Sequence, residues 1–130
     1  VMLRRRLDIG NRFACSSRLY LSATRFGRLL RIAARRLTDA NLKLLLEKDF
    51  AAPTLSSDGV AHVVHVGLED ARIMSVAPKS CALQVLIVGR SFSSTPITFQ
   101  RMLVPATSYG LRLEFQPPDA DAQERGDRAG

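Results

Sequence analysis

The stretch SRLYLSATRFGRLLRIAARRL, residues 17–37, divides into an apolar side and a basic side when it is wound as a helix. At about 100° per residue, its apolar side chains recur at spacings of three and four and form one narrow stripe. The arginines fall on the opposite side, and no acidic residue lies between Arg12 and Thr38. A basic amphipathic helix packs against an apolar surface on one side and faces water or an anionic surface on the other. The pattern therefore predicts a helix with a docking face and a basic face.

The two sides of this predicted helix supply the candidate contact residues. The docking face consists of Leu19, Phe26, Leu30 and Leu37, with alanines between them. The basic side is extended by an arginine triplet near the start of the chain. The candidates for contact with RNA or another anionic surface are therefore Arg4, Arg5, Arg6, Arg18, Arg25, Arg28, Arg31, Arg35 and Arg36.

Charge is distributed unevenly along the chain. The net charge is +7, yet residues 1–37 alone hold ten arginines against the single acid Asp8, which gives +9. An arginine-rich segment that is amphipathic and poor in acids is typical of mitochondrial targeting sequences. A coding sequence rich in G and C would also favour arginine over lysine. We expect this segment to be targeting-like in origin, retained in the mature protein, and suited to a polyanionic partner.

Beyond residue 37 the periodicity changes from helical to strand-like. A helix is predicted over residues 39–49, capped by Thr38. Short connections leave no room for crossover helices, so the strands should form an antiparallel meander. The predicted strands span residues 60–68, 72–77, 82–88, 97–104 and 109–115. The fold class is α+β: a basic N-terminal helical arm, a short second helix, and about five antiparallel strands in a sandwich or in a sheet with one helix packed on it.

The chain is predicted to consist of three parts. Residues 1–37 form the basic arm, residues 38–118 form a small helix-plus-sheet domain, and residues 119–130 form a polar tail. The body has about 70 residues, and a core of that size contributes little stability alone. We therefore expect the body to dock on a partner.

No residue pattern indicates catalysis or metal binding. His62 and His65 are three positions apart on a predicted strand and point to opposite faces, so they cannot converge on a metal ion. Cys15 and Cys81 are far apart in sequence and form no CxxC motif. The segment Gly89–Ser93 lacks the second glycine and the following helix of a nucleophile elbow. We predict a protein that is not an enzyme, with no catalytic, cofactor or metal site and no small-molecule substrate.

Two functions fit these observations, and both are structural. The first is a mitochondrial ribosomal protein, a non-catalytic subunit whose basic arm contacts the rRNA backbone. The alternative is an accessory subunit of an inner-membrane respiratory complex or of ATP synthase, with the arm on a protein or lipid surface. A viral coat protein is a third possibility. The expected partners are neighbouring subunits of a large complex, with rRNA or an anionic membrane surface.

The location expected from this reading is the mitochondrial matrix or the matrix side of the inner membrane. No apolar run reaches the roughly 18–20 residues that a membrane-spanning helix needs. We therefore predict no transmembrane segment.

Overall fold

Five antiparallel strands form one sheet in the part of the chain that the computed structural model describes, residues 1–32, 34–38 and 41–113. The strands are β1 (Met2–Ile9), β2 (Phe13–Leu21), β3 (Ser56–His65), β4 (Cys81–Arg90) and β5 (Pro96–Pro105). Their order across the sheet is β1-β2-β5-β4-β3. The central position of β5 joins the N-terminal strands β1 and β2 to β3 and β4, since β2 and β4 both pair with β5.

Short helices lie on both faces of the sheet. They are α1 (Ala23–Phe26), α2 (Ala34–Thr38), α3 (Leu42–Phe50) and α4 (Leu68–Met74), with 3-10 turns at Gly27–Arg31 and Phe92–Ser94. On the face that we call the α3 face, Leu42 and Leu46 of α3 join a core with Leu21, Phe26 and Leu29. On the opposite face, the α4 face, Ala71 and Met74 pack against Ala82 and Leu103 of the sheet.

The α+β class with an antiparallel sheet of five strands is confirmed. The identity of the strands differs from the prediction in one respect, because two of the five come from the segment expected to be a helical arm. The helix predicted over residues 17–37 begins only at Ala23 and is broken into α1, a 3-10 turn and α2. The sheet therefore joins strands from both sides of the expected boundary at residues 37 and 38.

A tight turn explains why residues 2–21 form a hairpin. Gly10 and Asn11 have φ of +55° and +58°, and the Arg12 N–H donates to the Ile9 carbonyl at 3.0 Å. Two successive residues with positive φ give a turn whose twist matches that of antiparallel strands, and glycine and asparagine tolerate this conformation best. The hairpin then places β2 against β5 in the middle of the sheet, where residues 14–17 are all buried.

The helix predicted over residues 39–49 is present as α3. Its N-cap is Asn41 instead of Thr38, and the Asn41 side chain accepts a hydrogen bond from the Leu44 N–H at 3.2 Å. Such a cap satisfies one of the N–H groups that have no partner within the helix. The predicted strands over residues 60–68, 82–88 and 97–104 correspond to β3, β4 and β5.

The strand predicted over residues 72–77 is wrong, because α4 occupies Leu68–Met74. Glu69 and Asp70 lie in its first turn, where the helix dipole favours negative charge. The described part of the strand predicted over residues 109–115, which ends at Leu113, has no regular secondary structure. The rest of that strand and the predicted tail lie outside the described residues. No helix in the described ranges is both long and apolar enough to cross a membrane.

Candidate functional site

A cavity of about 450 Å³ lies between α3 and the α3 face of the sheet. All five strands contribute to its floor, because residues paired across the sheet share a face. Arg5 pairs with Ser17, and Ser17 pairs with Met102, which forms one row. A second row runs through Leu19, Gln100 and Ile87, and a third through Thr98, Gly89 and Ser57. The wall above the floor comes from Asn41, Leu42, Lys43 and Leu46, together with Thr54 and Leu113.

Two hydrogen-bonded polar side chains, those of Ser17 and Gln100, form part of the cavity floor. The Gln100 Nε2 donates a hydrogen bond to Ser17 Oγ at 2.8 Å, and Ser17 is only 2% exposed. The neighbouring floor residues Leu19, Ile87 and Met102 are apolar. A hydroxyl and an amide fixed in this way can orient a ligand, while the apolar residues around them contact its carbon skeleton.

The charge of the cavity lining is positive. Arg5 and Lys43 are its charged residues, and no aspartate or glutamate of the described chain lines it. Lys43 lies in the first turn of α3, and Asn41 and Leu42 bring the N-terminus of that helix to the cavity as well. A helix N-terminus carries a partial positive charge, so three positive groups act on the same space. This arrangement is suited to an anion and unsuited to a cation.

Gly89 is required by the geometry of the cavity floor. A Cβ at this position would collide with Thr98 Oγ1 on the paired strand and would also contact Thr54. In the sequence, Gly89 stands out only as part of an incomplete nucleophile elbow. In the structure Gly89 lies inside β4, where its lack of a side chain lets Thr98 stand beside it.

The arginines predicted to share one basic face are dispersed. Arg4 and Arg18 form ion pairs with Glu69 on the α4 face, and Arg6 Nε contacts Asp8 Oδ1 at 3.0 Å. The guanidinium groups of Arg25 and Arg28 lie 5.5 and 4.5 Å from the ring centroids of Phe26 and Phe50, respectively. The side chains of Arg31, Arg35 and Arg36 are exposed. Of the nine candidates, only Arg5 lines the cavity.

The predicted docking face is also divided. Phe26 and Leu37 are buried in the core of the α3 face, whereas Leu30 is 71% exposed. Leu19 lies in β2 and lines the cavity. The helical spacing placed these residues on one stripe, but a strand and three short helical turns orient them separately.

A buried carboxylate on the α4 face binds α4 to the sheet. Asp70 is 5% exposed and accepts a hydrogen bond from Ser16 Oγ at 2.7 Å. Its oxygens lie 3.6 Å from Arg18 Nη2 and 3.5 Å from Arg101 Nη1. Ser16 and Arg101 directly adjoin the cavity residues Ser17 and Gln100 on the same strands. The two faces of the sheet are therefore linked through β2 and β5.

Sequence reasoning missed most of the cavity. Ser17 stands at the start of the predicted basic helix, and no local pattern distinguishes Gln100, Thr98 or Lys43. The available signal was weak: polar residues that interrupt otherwise apolar strands, at positions that alternation places towards the core. No group of three or more residues able to hold a metal ion occurs in the described chain.

Neither a protein-family model nor a curated protein matches this sequence. Several solved structures share its fold. One is the ligand-binding domain of a Bordetella bronchiseptica protein assigned to the GntR family of transcriptional regulators, with a TM-score of 0.73 and 23% identity over 87% of this chain and 69% of that one. A GntR-family transcriptional regulator from Enterococcus faecalis gives a TM-score of 0.67 and 14% identity over 87% of this chain and 80% of that one.

A third similar structure is the C-terminal domain of the histidine utilization repressor from Pseudomonas syringae. Its TM-score is 0.62, with 14% identity over 79% of this chain and 69% of that one. At these identities the likeness is one of fold.

These similarities overturn the mitochondrial interpretation. The three proteins compared above are bacterial transcriptional regulators, so the predictions of a mitochondrial ribosomal, respiratory or ATP synthase subunit and of a mitochondrial location are wrong. The predicted partners, neighbouring subunits of a large complex with rRNA or an anionic membrane, are wrong on the same ground. The exclusion of a small-molecule partner is also wrong, because the Bordetella neighbour is a ligand-binding domain.

Proposed function

We propose that this chain is the ligand-binding part of a bacterial transcriptional regulator of the GntR type, and that its cavity binds a small organic anion. The observation that carries the proposal is the cavity of about 450 Å³ whose charged lining residues, among those described, are Arg5 and Lys43. Ligand pockets commonly have volumes of about 300–1,000 Å³ and combine an apolar lining with a few polar groups. The fold shared with GntR-family regulators supports the proposal.

The proposed ligand carries a carboxylate or phosphate group on a carbon skeleton. Arg5 and Lys43 bind the anionic group, since a guanidinium and an ammonium both donate hydrogen bonds to carboxylate or phosphate oxygens. Ser17, Gln100 and Thr98 contact the polar part of the skeleton. Leu19, Ile87 and Met102 contact its apolar part, which gives selectivity for an organic anion over a free inorganic ion.

The domain is proposed to sense its ligand without transforming it. General acid–base and nucleophilic catalysis require a positioned proton-transfer group or an activated nucleophile. The described lining of the cavity contains no histidine, cysteine, aspartate or glutamate. Ser17 is already held by Gln100 and has no base beside it in that lining.

Ligand binding reaches the rest of the protein through β2 and β5 in this proposal. A ligand that shifts Ser17 or Gln100 also shifts Ser16 and Arg101, which contact Asp70 of α4. Because Asp70 is buried, a small displacement of these strands changes the free energy of α4 docking. Ligand binding in the cavity on the α3 face thereby changes how tightly α4 packs on the opposite face.

The test is ligand-dependent thermal stability of the whole chain. The melting temperature is measured in glucose 6-phosphate, citrate and inorganic phosphate, with glucose and sodium chloride at matched ionic strength as controls. A ligand at 100 times its Kd stabilises a domain by about 2.7 kcal/mol. We expect an organic anion to raise the melting temperature and glucose to leave it unchanged.

A matched pair of variants tests whether the anion that raises the melting temperature binds in the cavity. Arg5→Met removes the cavity arginine, whereas Arg4→Met removes its chain neighbour on the other face of the sheet. Each variant is compared with its own ligand-free melting temperature, so a general loss of stability does not enter the result. We expect Arg5→Met to abolish the anion-dependent shift and Arg4→Met to retain it. No shift with any anion, or equal loss in the two variants, contradicts the proposal.

A further inference from the structure

The described chain reaches residue 113 beside the cavity. After β5, residues 106–113 run back over the α3 face, where Leu111 and Leu113 pack against buried residues of β2, β4 and β5. The guanidinium group of Arg12, in the turn between β1 and β2, lies 4.7 Å from the ring centroid of Tyr109. Leu113 also lines the cavity. Residue 114 therefore begins at the cavity wall.

The next part of the chain, residues 114–130, is called the acidic segment because of its charge. It contains five of the twelve acidic residues of the chain and two arginines, so its net charge is −3, whereas the whole chain has a net charge of +7. The acids are Glu114, Asp119, Asp121, Glu124 and Asp127. The cavity beside it has the opposite charge, because its charged lining residues in the described chain are Arg5 and Lys43.

The covalent connection brings the acidic segment within reach of both cations. Glu114 is bonded to Leu113, and consecutive Cα atoms are about 3.8 Å apart. Asp119 is six residues beyond Leu113, so its Cα lies within about 20 Å of the Leu113 Cα. A group held by a short tether has an effective concentration of about millimolar. A carboxylate of the acidic segment therefore competes with a free anion for the cavity.

The cavity is a better partner for a carboxylate than the α4 face. The basic surface of that face already has a carboxylate partner, because Arg4 and Arg18 both pair with Glu69. The cavity lining, by contrast, contains no carboxylate among the described residues. Arg5 and Lys43 lie there with the N-terminus of α3, and both side chains form strong hydrogen bonds with carboxylate oxygens.

We propose that the acidic segment lies across the cavity, places a carboxylate against Arg5 and Lys43, and so competes with the ligand. The contact is autoinhibitory, since the segment and an organic anion need the same two side chains. A cavity that the segment fills for about 90% of the time binds its ligand about tenfold more weakly than an open cavity. The contact requires only the charges and the tether, whereas its effect on ligand affinity rests on the proposed function.

Cross-linking of the whole chain with a water-soluble carbodiimide tests the contact without a ligand. The reagent activates a carboxyl group, and a lysine Nζ in contact with it attacks the carboxyl carbon. An amide bond forms, and one carboxyl oxygen leaves with the reagent as a urea. Mass spectrometry of the monomeric fraction then identifies which lysine is joined to the acidic segment.

The three lysines of the chain report on three different surfaces. Lys43, Lys48 and Lys79 are all exposed, and of these only Lys43 lines the cavity. Lys48 lies beside Asp49, whose carbonyl accepts a hydrogen bond from Arg28, so it reports on the surface near the exposed arginines of residues 25–36. Lys79 lies between α4 and β4. We expect the amide bonds of Lys43 with the acidic segment to be at least tenfold more abundant than those of Lys48 or Lys79.

Calorimetric titration with citrate and with glucose 6-phosphate tests the competition. The variant Glu114→Gln, Asp119→Asn, Asp121→Asn removes three charges from the acidic segment. We expect it to bind the anion about tenfold more tightly than the parent chain does.

The matched control neutralises three exposed acids that do not line the cavity, Asp8, Glu47 and Asp49, and so changes the net charge equally. Its Kd should stay within about twofold of the parent value. Circular dichroism establishes that each variant is folded.

The cross-linking and titration results separate this proposal from the proposed function. Cross-links at Lys43 together with tighter binding by the segment variant support autoinhibition. Cross-links at Lys43 without binding of either anion by any variant support the contact and contradict the proposed function. The proposal is overturned if the acidic segment joins Lys48 or Lys79 in preference to Lys43, if it joins no lysine, or if the segment variant and its control bind the anion equally.

Discussion

Arg4 and Arg5 are adjacent in β1 and lie on opposite faces of the sheet. Arg5 lines the cavity under α3, and Arg4 forms an ion pair with Glu69 of α4. The alternation of a strand thus assigns neighbouring arginines to different tasks, one in the proposed ligand site and one in holding α4. A basic segment that looks uniform in sequence is divided in this way, and each arginine must be tested separately.

Replacing Asp70 with asparagine should destabilise the fold. The substitution keeps the shape of the side chain but removes the buried negative charge that lies 3.6 and 3.5 Å from Arg18 and Arg101. Removing one partner of a buried ion pair costs about 3–5 kcal/mol, and because both arginines retain some solvent contact we expect about 2–3 kcal/mol. Urea denaturation of Asp70→Asn measures this loss in the free energy of unfolding.

The control for Asp70 is Asp8→Asn, which removes an ion pair of similar type in an exposed position. Asp8 contacts Arg6 at 3.0 Å, and its side chain is 64% exposed. Exposed pairs contribute at most about 1 kcal/mol. If Asp70→Asn lowered the free energy of unfolding no more than Asp8→Asn does, the buried carboxylate would not be what holds α4 against the sheet.

The two cysteines should differ strongly in reactivity. Burial raises the pKa of the Cys15 thiol to about 11, because the thiolate is poorly solvated there. At pH 8 only about one Cys15 in a thousand would be ionised, and the thiolate is the reactive form. Cys81 is exposed. We expect a colorimetric disulfide reagent at pH 8 to modify one thiol quickly in the native protein and a second only after unfolding.

Single-cysteine variants show which thiol reacts in the fast phase and which reacts only after unfolding. Cys81→Ser should remove the fast phase, and Cys15→Ser should leave it intact. Since the pKa of the buried thiol is raised, its reaction should accelerate as the pH approaches 11. Two fast thiols in the native parent chain would show that Cys15 is accessible.

Strands could be predicted from the sequence where their inward-facing residues are all apolar. They were harder to predict where polar residues face the cavity. β4 and β5 follow from apolar runs bounded by Gly, Pro and Ser. The alternation of β1, with Leu3, Leu7 and Ile9 turned inward, is interrupted by the inward-facing Arg5. A polar residue on the inner face breaks the pattern that would have indicated a strand, and such breaks are expected at functional sites.

The helical arm was predicted because leucines and arginines between residues 17 and 37 satisfy a period of 3.6. The first five of those residues belong to β2, an interior strand of the sheet. In this strand the buried Ser16 and Ser17 form hydrogen bonds with Asp70 and Gln100. These partners lie more than 50 residues away in sequence. No local pattern could reveal them, since tertiary contacts override a local periodicity.

Gly89→Ala should destabilise the protein by forcing Thr98 out of position. The added Cβ would collide with Thr98 Oγ1, and both residues form part of the cavity floor. Inserting a methyl group into a well-packed site costs about 1–3 kcal/mol. Gly27→Ala is the matched control, because no heavy atom lies within 4 Å of a Cβ there and alanine favours helical backbone.

A second substitution distinguishes the collision with Thr98 from an effect on the backbone at position 89. Thr98→Ala removes the colliding atom and should restore most of the stability lost in Gly89→Ala, whereas Thr98→Val keeps the side-chain volume and should not. Urea denaturation of the single and double variants gives the coupling energy between positions 89 and 98. Equal stability of the two double variants would show that the collision with Thr98 is not what excludes a side chain at position 89.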